Sequence, residues 1–137
     1  MRVLVGFLGF FSVVAFGTSS VMVDTREFFK GVEGQYEILK VVGDGVKKPD
    51  GALFDVFVDA DVVSLTAPYC QVDDGVCIAG YIDLEVGKTT VAKNSNGVFS
   101  IVTQVGKDLH SYSWTESGGV VTFHNAQSGF DHQIKKQ

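Results

Sequence analysis

The chain has 137 residues, 45% of them apolar and 20% charged, with a formal net charge of −5. That length suits one domain, and so apolar a composition excludes a disordered chain. Sixteen Asp/Glu against eleven Lys/Arg leave no basic footprint for nucleic acid.

The apolar residues are unevenly spread. Arg2 is the sole charge among residues 1–17, and Val3 to Phe16 contains no ionisable side chain before small residues follow. A basic start, an apolar middle and a small-residue exit are the order of a secretory signal. Ala15 and Gly17 suit the −3 and −1 positions, which predicts cleavage after Gly17, with Ser19 and Ser20 as alternative ends. The run falls short of the roughly 20 apolar residues that span a bilayer. The first cysteine is Cys70, too far on for a lipid anchor. The expectation is therefore a signal over 1–17 and one domain over 18–137, secreted or periplasmic, with no membrane anchor in the mature form. Losing Arg2 makes that mature form one unit more acidic than the full chain.

Thr18–Asp24 reads as a flexible lead. Asp24 to Gly31 then carries an N-cap candidate, Glu27 at the third helical position, Lys30 near the end and a terminal Gly, which predicts one or two helical turns with Phe28 and Phe29 plugged against the rest of the domain. After Gly34 the period changes to two. Phe54, Val56 and Val58 alternate with Asp55, Phe57 and Asp59. Ile78, Gly80, Ile82, Leu84 and Val86 alternate with Ala79, Tyr81, Asp83 and Glu85. Phe99, Ile101, Thr103 and Val105 form a third such set, and Tyr112 and Trp114 face Val121 and Phe123 across a Ser117-Gly118 turn that pairs Thr115 with Val120. Turn clusters such as Asp73-Asp74-Gly75, Asn94-Ser95-Asn96-Gly97 and Gln127-Ser128-Gly129 separate them at roughly 8–12-residue spacing. The fold class expected is all-β: an antiparallel up-and-down β-barrel of eight or nine strands with a short N-terminal helix. Cys70 and Cys77 bracket the Asp-Asp-Gly turn, and in an exported chain two cysteines at hairpin spacing predict one disulfide.

The N-terminal stretch Phe28-Phe29-Lys30-Gly31-Val32-Glu33-Gly34-Gln35-Tyr36 resembles the calycin arrangement, a helical plug followed by Gly-x-aromatic at the first strand. Lipocalins carry Gly-x-Trp there, with the aromatic closing the barrel floor; Gly34 and Tyr36 stand at those positions, Tyr replacing Trp. The family's Arg that stacks on the Trp from the last strand has no match, Lys135 and Lys136 being the nearest cations. The exported bacterial metalloprotease inhibitors resemble the same barrel, with a Gly-x-Trp start and one disulfide. Neither family is matched along the whole chain.

Candidate chemistry is sparse. Three histidines, His110, His124 and His132, read as solvated strand residues rather than a zinc site. Asp50, Asp55, Asp59, Asp61, Asp73 and Asp74 lack the Asp-x-Asp-x-Asp-Gly spacing of a calcium loop and read as an acidic face. No Gly-x-Ser-x-Gly elbow or Gly-rich phosphate cradle is present. No catalytic residue, metal or cofactor is assigned. The reading is a non-enzymatic, monomeric binding protein in one of two versions. In the first, which the calycin resemblance implies, a small hydrophobic molecule is buried against Tyr36, Phe54, Val56, Ile82, Phe99, Ile101, Tyr112, Trp114 and Phe123. In the second, the interior is filled and loops dock or inhibit an extracytoplasmic protein.

Overall fold

The computed structural model of the chain describes residues 19–137, so the expected signal over 1–17 lies outside the described residues. In chain order the elements are β1 (Ser20–Val23), α1 (Thr25–Val32), β2 (Gly34–Val42), β3 (Val46–Lys47), β4 (Leu53–Asp59), β5 (Val62–Thr66), β6 (Tyr69–Gln71), β7 (Cys77–Ile78), β8 (Tyr81–Glu85), a 3-10 turn (Val86–Lys88), β9 (Thr89–Asn94), β10 (Phe99–Val105), β11 (Asp108–Ser117), β12 (Val120–Asn125) and β13 (Phe130–Lys136). The class is all-β with one short helix, as expected.

Ten strands form one sheet in the order β1-β9-β10-β11-β12-β13-β2-β4-β5-β8, and β3-β6-β7 form a second, small sheet. Each ladder is antiparallel. The main sheet is strongly curved. Phe54 on β4 and Trp114 on β11 are four strands apart, about 19 Å in a flat sheet, yet their ring centroids lie 6.2 Å apart. One face of the sheet thus folds onto itself and encloses the core.

The sheet is not closed by hydrogen bonds into the expected barrel. β8 and β9 are consecutive in the chain but unpaired, because both edges of β9 are already taken, one by β10 and the other by β1. β1 also corrects the reading of Thr18–Asp24 as a free lead: Ser20 to Val23 pair in register with Asn94 to Val91. The strand count exceeds eight or nine for the same reason, and because the small sheet contributes three short strands.

α1 is capped as its sequence requires, with Asp24 accepting from the Glu27 N–H at 3.0 Å. Gly31 falls inside the helix rather than ending it. Thr25 donates to the Thr89 carbonyl on β9, and Arg26 binds the Ala60 carbonyl and the Asp61 carboxylate in the β4–β5 turn. The helix start therefore ties the β9 side of the gap to the β4–β5 side. Phe29 is fully buried, and Phe28 packs on Phe99 at 4.7 Å and on Trp114 at 6.3 Å.

The alternation expected from Ile78 to Val86 is broken. Gly80 adopts φ +65°, which divides the run into β7 in the small sheet and β8 in the main one. A side chain cannot stand there, since a Cβ would lie 2.1 Å from the Ala67 carbonyl oxygen. Cys70 and Cys77 are cross-strand partners on β6 and β7 and form the predicted disulfide.

Candidate functional site

Period-two alternation in β2, β4, β11 and β12 sends Tyr36, Phe54, Trp114 and Phe123 to the enclosed face, where they form an aromatic block. Trp114 has Tyr36 at 5.6 Å, Phe54 at 6.2 Å and Phe123 at 6.2 Å, and Phe123 stacks on Tyr112 at 5.7 Å. At these separations the rings are in contact. Of the residues expected to face a ligand, Tyr36, Phe54, Val56, Ile101, Tyr112, Trp114 and Phe123 are buried against one another, while Ile82 and Phe99 are half-buried.

At the α1 end of this block two depressions border Trp114, one of about 500 Å³ that Phe28 and Phe99 also line and one of about 120 Å³ that Tyr36 and Lys136 also line. The Tyr36 hydroxyl donates to the Val32 carbonyl at the end of the helix. Burial, with a smaller contribution from the Glu116 charge, pushes the Tyr36 pKa up to about 12. Lys136, its cross-strand partner on β13, holds its ammonium 5.9 Å from the Tyr36 ring centroid, within cation–π range.

The opposite end is different. Between the last residues of the main sheet and the small, disulfide-bridged sheet lies a cavity of about 170 Å³, lined by Ala67, Tyr69, Gly80, Tyr81, Ile82, Phe123, Asn125, Ser128, Phe130 and His132. Tyr69 and Phe130 meet edge to face at 5.0 Å. Asn125 shapes the mouth through the β12–β13 turn, its Oδ1 accepting from the Gln127 N–H at 2.9 Å. Of the predicted ligand contacts only Ile82 and Phe123 line this cavity.

His132 is 3% exposed and lies 5.7 Å from the Phe54 ring, centroid to centroid. Its Nε2 is 2.9 Å from the Pro68 carbonyl oxygen, and its Nδ1 is buried without a hydrogen-bond partner. Desolvation lowers its pKa from the ordinary histidine value, against opposing contributions from the Pro68 and Ala67 carbonyls and the Asp131 charge. The solvated reading of His132 is therefore wrong. Asn125 pairs with Phe130 across a four-residue loop, Ala126–Gly129, so Phe130, His132 and Ile134 all turn inward together.

No protein-family model, curated protein or solved structure matches this chain.

Of the other histidines, half-buried His110 pairs with the buried Thr103 and so shares the inner face of β11 with Tyr112 and Trp114, whereas His124 lies on the outer side. His124 bonds Asp131 through Nδ1 at 2.5 Å and sits across from Ser113, but the hydrogen bonds of the described residues include none from Ser113 to the ring. Among the described residues, no three His, Cys, Asp or Glu side chains are grouped to hold a metal. Asp61 pairs with Arg26, and Asp74 accepts from the Val76 N–H within the turn between the cysteines.

Sequence reading missed His132, Tyr69 and Phe130. The signal for the histidine was present: the hydrophobic alternation that demands Phe130 and Ile134 inside carries residue 132 with them. Tyr69 and Phe130 come together only through the fold-over of the small sheet, which local pattern does not encode.

Proposed function

We propose that this chain is an exported, calycin-like binding protein that holds a small apolar molecule at the end of its curved sheet remote from α1. In this reading β1, β2, β4, β5 and β8 to β13 act as the wall of a barrel whose open seam lies between β8 and the β1–β9 edge and is bridged by the start of α1. The cross-bracing by Thr25 and Arg26 supports that role. The Cys70–Cys77 disulfide fits an oxidising compartment. Lys136 over Tyr36 supports the family resemblance, because a cation from the last strand lies on the aromatic of the Gly-x-aromatic start.

The observation that carries the reading is the apolar cavity bounded by Ile82, Phe123, Phe130 and Tyr69. The wider interior cannot serve, since Trp114, Tyr36, Phe54 and Phe123 fill it themselves. Ligands are therefore limited to about one ring; an engineered cavity of about 150 Å³ is known to take benzene. Titration of isotope-labelled protein with toluene, followed by NMR, tests this. Saturable shifts at Ile82, Phe123 and Tyr69 are expected, and their absence at the solubility limit of toluene rejects the reading.

A second reading, docking of an extracytoplasmic protein, is favoured by one observation. Phe57 and Tyr81 are 53% and 78% exposed on neighbouring parts of the β4-β5-β8 surface, where a soluble monomer usually keeps large apolar groups scattered. A Phe57→Ser, Tyr81→Ser variant that retains every partner captured by the wild type would discard it.

A further inference from the structure

Charged side chains stand where the inner face of the main sheet runs out beside α1. Trp114 pairs with Phe99 and Phe99 with Lys93, so the lysine occupies the enclosed face together with both rings. Glu116, two residues beyond Trp114 on β11, holds that face as well. Both charged residues border the depression of about 500 Å³ between α1 and the ends of β9, β10 and β11. Phe28 and Phe99, half-buried with ring centroids 4.7 Å apart, give it accessible aromatic surface, and the buried Trp114 lies against Phe28.

The electrostatics of this depression favour positive charge. Its ionisable residues are Asp24, Glu27, Glu116 and Lys93, three acids and one base, and all four are exposed. Asp24 is engaged in capping α1 through the Glu27 N–H, whereas Glu27, Glu116 and Lys93 form no ion pair among the described residues. Gly31 and Val32 bring the last turn of α1, the negative end of its dipole, to the same depression. The faces of the aromatic rings are negative too. One cation already uses such a face: Lys93 Nζ lies 5.4 Å from the centroid of Phe99, within cation–π range.

We propose that this depression is a site for a small organic cation, an ammonium with apolar substituents, that lies on the Phe28 and Phe99 rings and has its charge balanced by Glu116 and Glu27. Its size is in the range of small-molecule sites, which begin at about 300 Å³. A neutral molecule of the same shape would cover the same rings but would draw water away from carboxylates without compensating them. The site is lined by none of the residues of the cavity beside His132, so each can be tested without the other.

Choline and 3,3-dimethyl-1-butanol share one shape and one hydroxyl and differ in a single atom, a charged nitrogen against a neutral carbon. Isotope-labelled wild-type protein is titrated with each, and NMR follows the indole N–H of Trp114, the single tryptophan. Choline is expected to shift that resonance saturably and to bind about tenfold more tightly than the alcohol. Added salt should weaken choline and leave the alcohol unchanged. Glu116→Gln should weaken choline alone, and Lys93→Met, which removes the internal cation, should strengthen it. Equal affinity for the two compounds, or a Trp114 resonance that choline does not shift saturably, overturns the proposal. The wild-type comparison decides by itself, so the test survives a variant that fails to fold.

Discussion

Gly80 is pressed against the main chain of Ala67: its carbonyl accepts from the Ala67 N–H at 3.0 Å, and a Cβ at position 80 would stand 2.1 Å from the Ala67 carbonyl oxygen. The contact sits where the chain leaves β5 for the small sheet and returns from it into β8, so it fixes how that sheet lies over the cavity. Gly80→Ala combines a left-handed backbone with a main-chain collision, and a loss of about 3 kcal/mol is expected. Gly45 has nearly the same φ, +69°, but a Cβ at that position would meet nothing within 4 Å. Gly45→Ala should therefore cost only the conformational part, about 1 kcal/mol. Urea unfolding of the two variants separates strain from collision, and equal losses would show that the close approach contributes nothing.

The disulfide joins paired positions of β6 and β7 with a sequence separation of 7. Closing so short a ring removes unfolded-state entropy equivalent to about 2.5 kcal/mol. The double variant Cys70→Ser, Cys77→Ser is expected to lose about that much. Its amide exchange should quicken at Gln71 and Val72, whose N–H groups bond Val76 and Gly45, while Tyr112 in the main sheet stays protected. Uniformly faster exchange across both sheets would instead mean that the bridge supports the whole fold.

Faces were legible in the sequence and edges were not. Tyr112, Trp114, Val121 and Phe123 share the inner face as the alternation requires, yet the expected pairing of Thr115 with Val120 is displaced. The turn is the two glycines Gly118 and Gly119, both at positive φ, and Ser117 pairs with Val120. A slip of two residues preserves the face, because the side-chain period is two. That is why composition of the core survived an error of register. β1 gave no signal: Ser20 to Val23 are mostly exposed, and their place is set by the vacant edge of β9, more than sixty residues away in the chain. The break at Gly80 is equally non-local, since only Ala67 forbids a side chain there. The candidate site joins these blind spots, being built where a broken strand, a small sheet and the inward turn of β13 meet.

His132 should make stability depend on acid. In the unfolded chain histidine titrates near pH 6.5, and burial holds His132 below that in the fold. Between the two values the unfolded chain binds a proton that the folded chain refuses. Stability is therefore unaffected by this group above about pH 6.5 and falls below it, with a slope approaching about 1.4 kcal/mol per pH unit until the folded value is reached. Urea midpoints at about pH 7.5, 6.5 and 5.5 should show a steeper decline for the wild type than for His132→Phe, in which the remaining acids still titrate. Identical slopes would mean that the folded ring takes up its proton as readily as the unfolded one.

Phe28 and Phe29 are neighbours on α1 with different duties. Phe29 is fully buried, whereas Phe28 lies half-exposed over Phe99 and beside Trp114, in a depression that Glu27 and Lys93 also border. Phe29→Ala should cost about 3–5 kcal/mol by leaving a cavity. Phe28→Ala should cost less, about 1–2 kcal/mol, because part of its ring already meets water. Its effect is on Trp114, the single tryptophan, which is 3% exposed. Without the Phe28 ring the indole gains access to solvent, so emission should shift to longer wavelength and acrylamide quenching should rise, with the far-ultraviolet β spectrum unchanged. An unaltered quenching constant in a folded Phe28→Ala protein would show that the strands, and not the helical plug, shield Trp114.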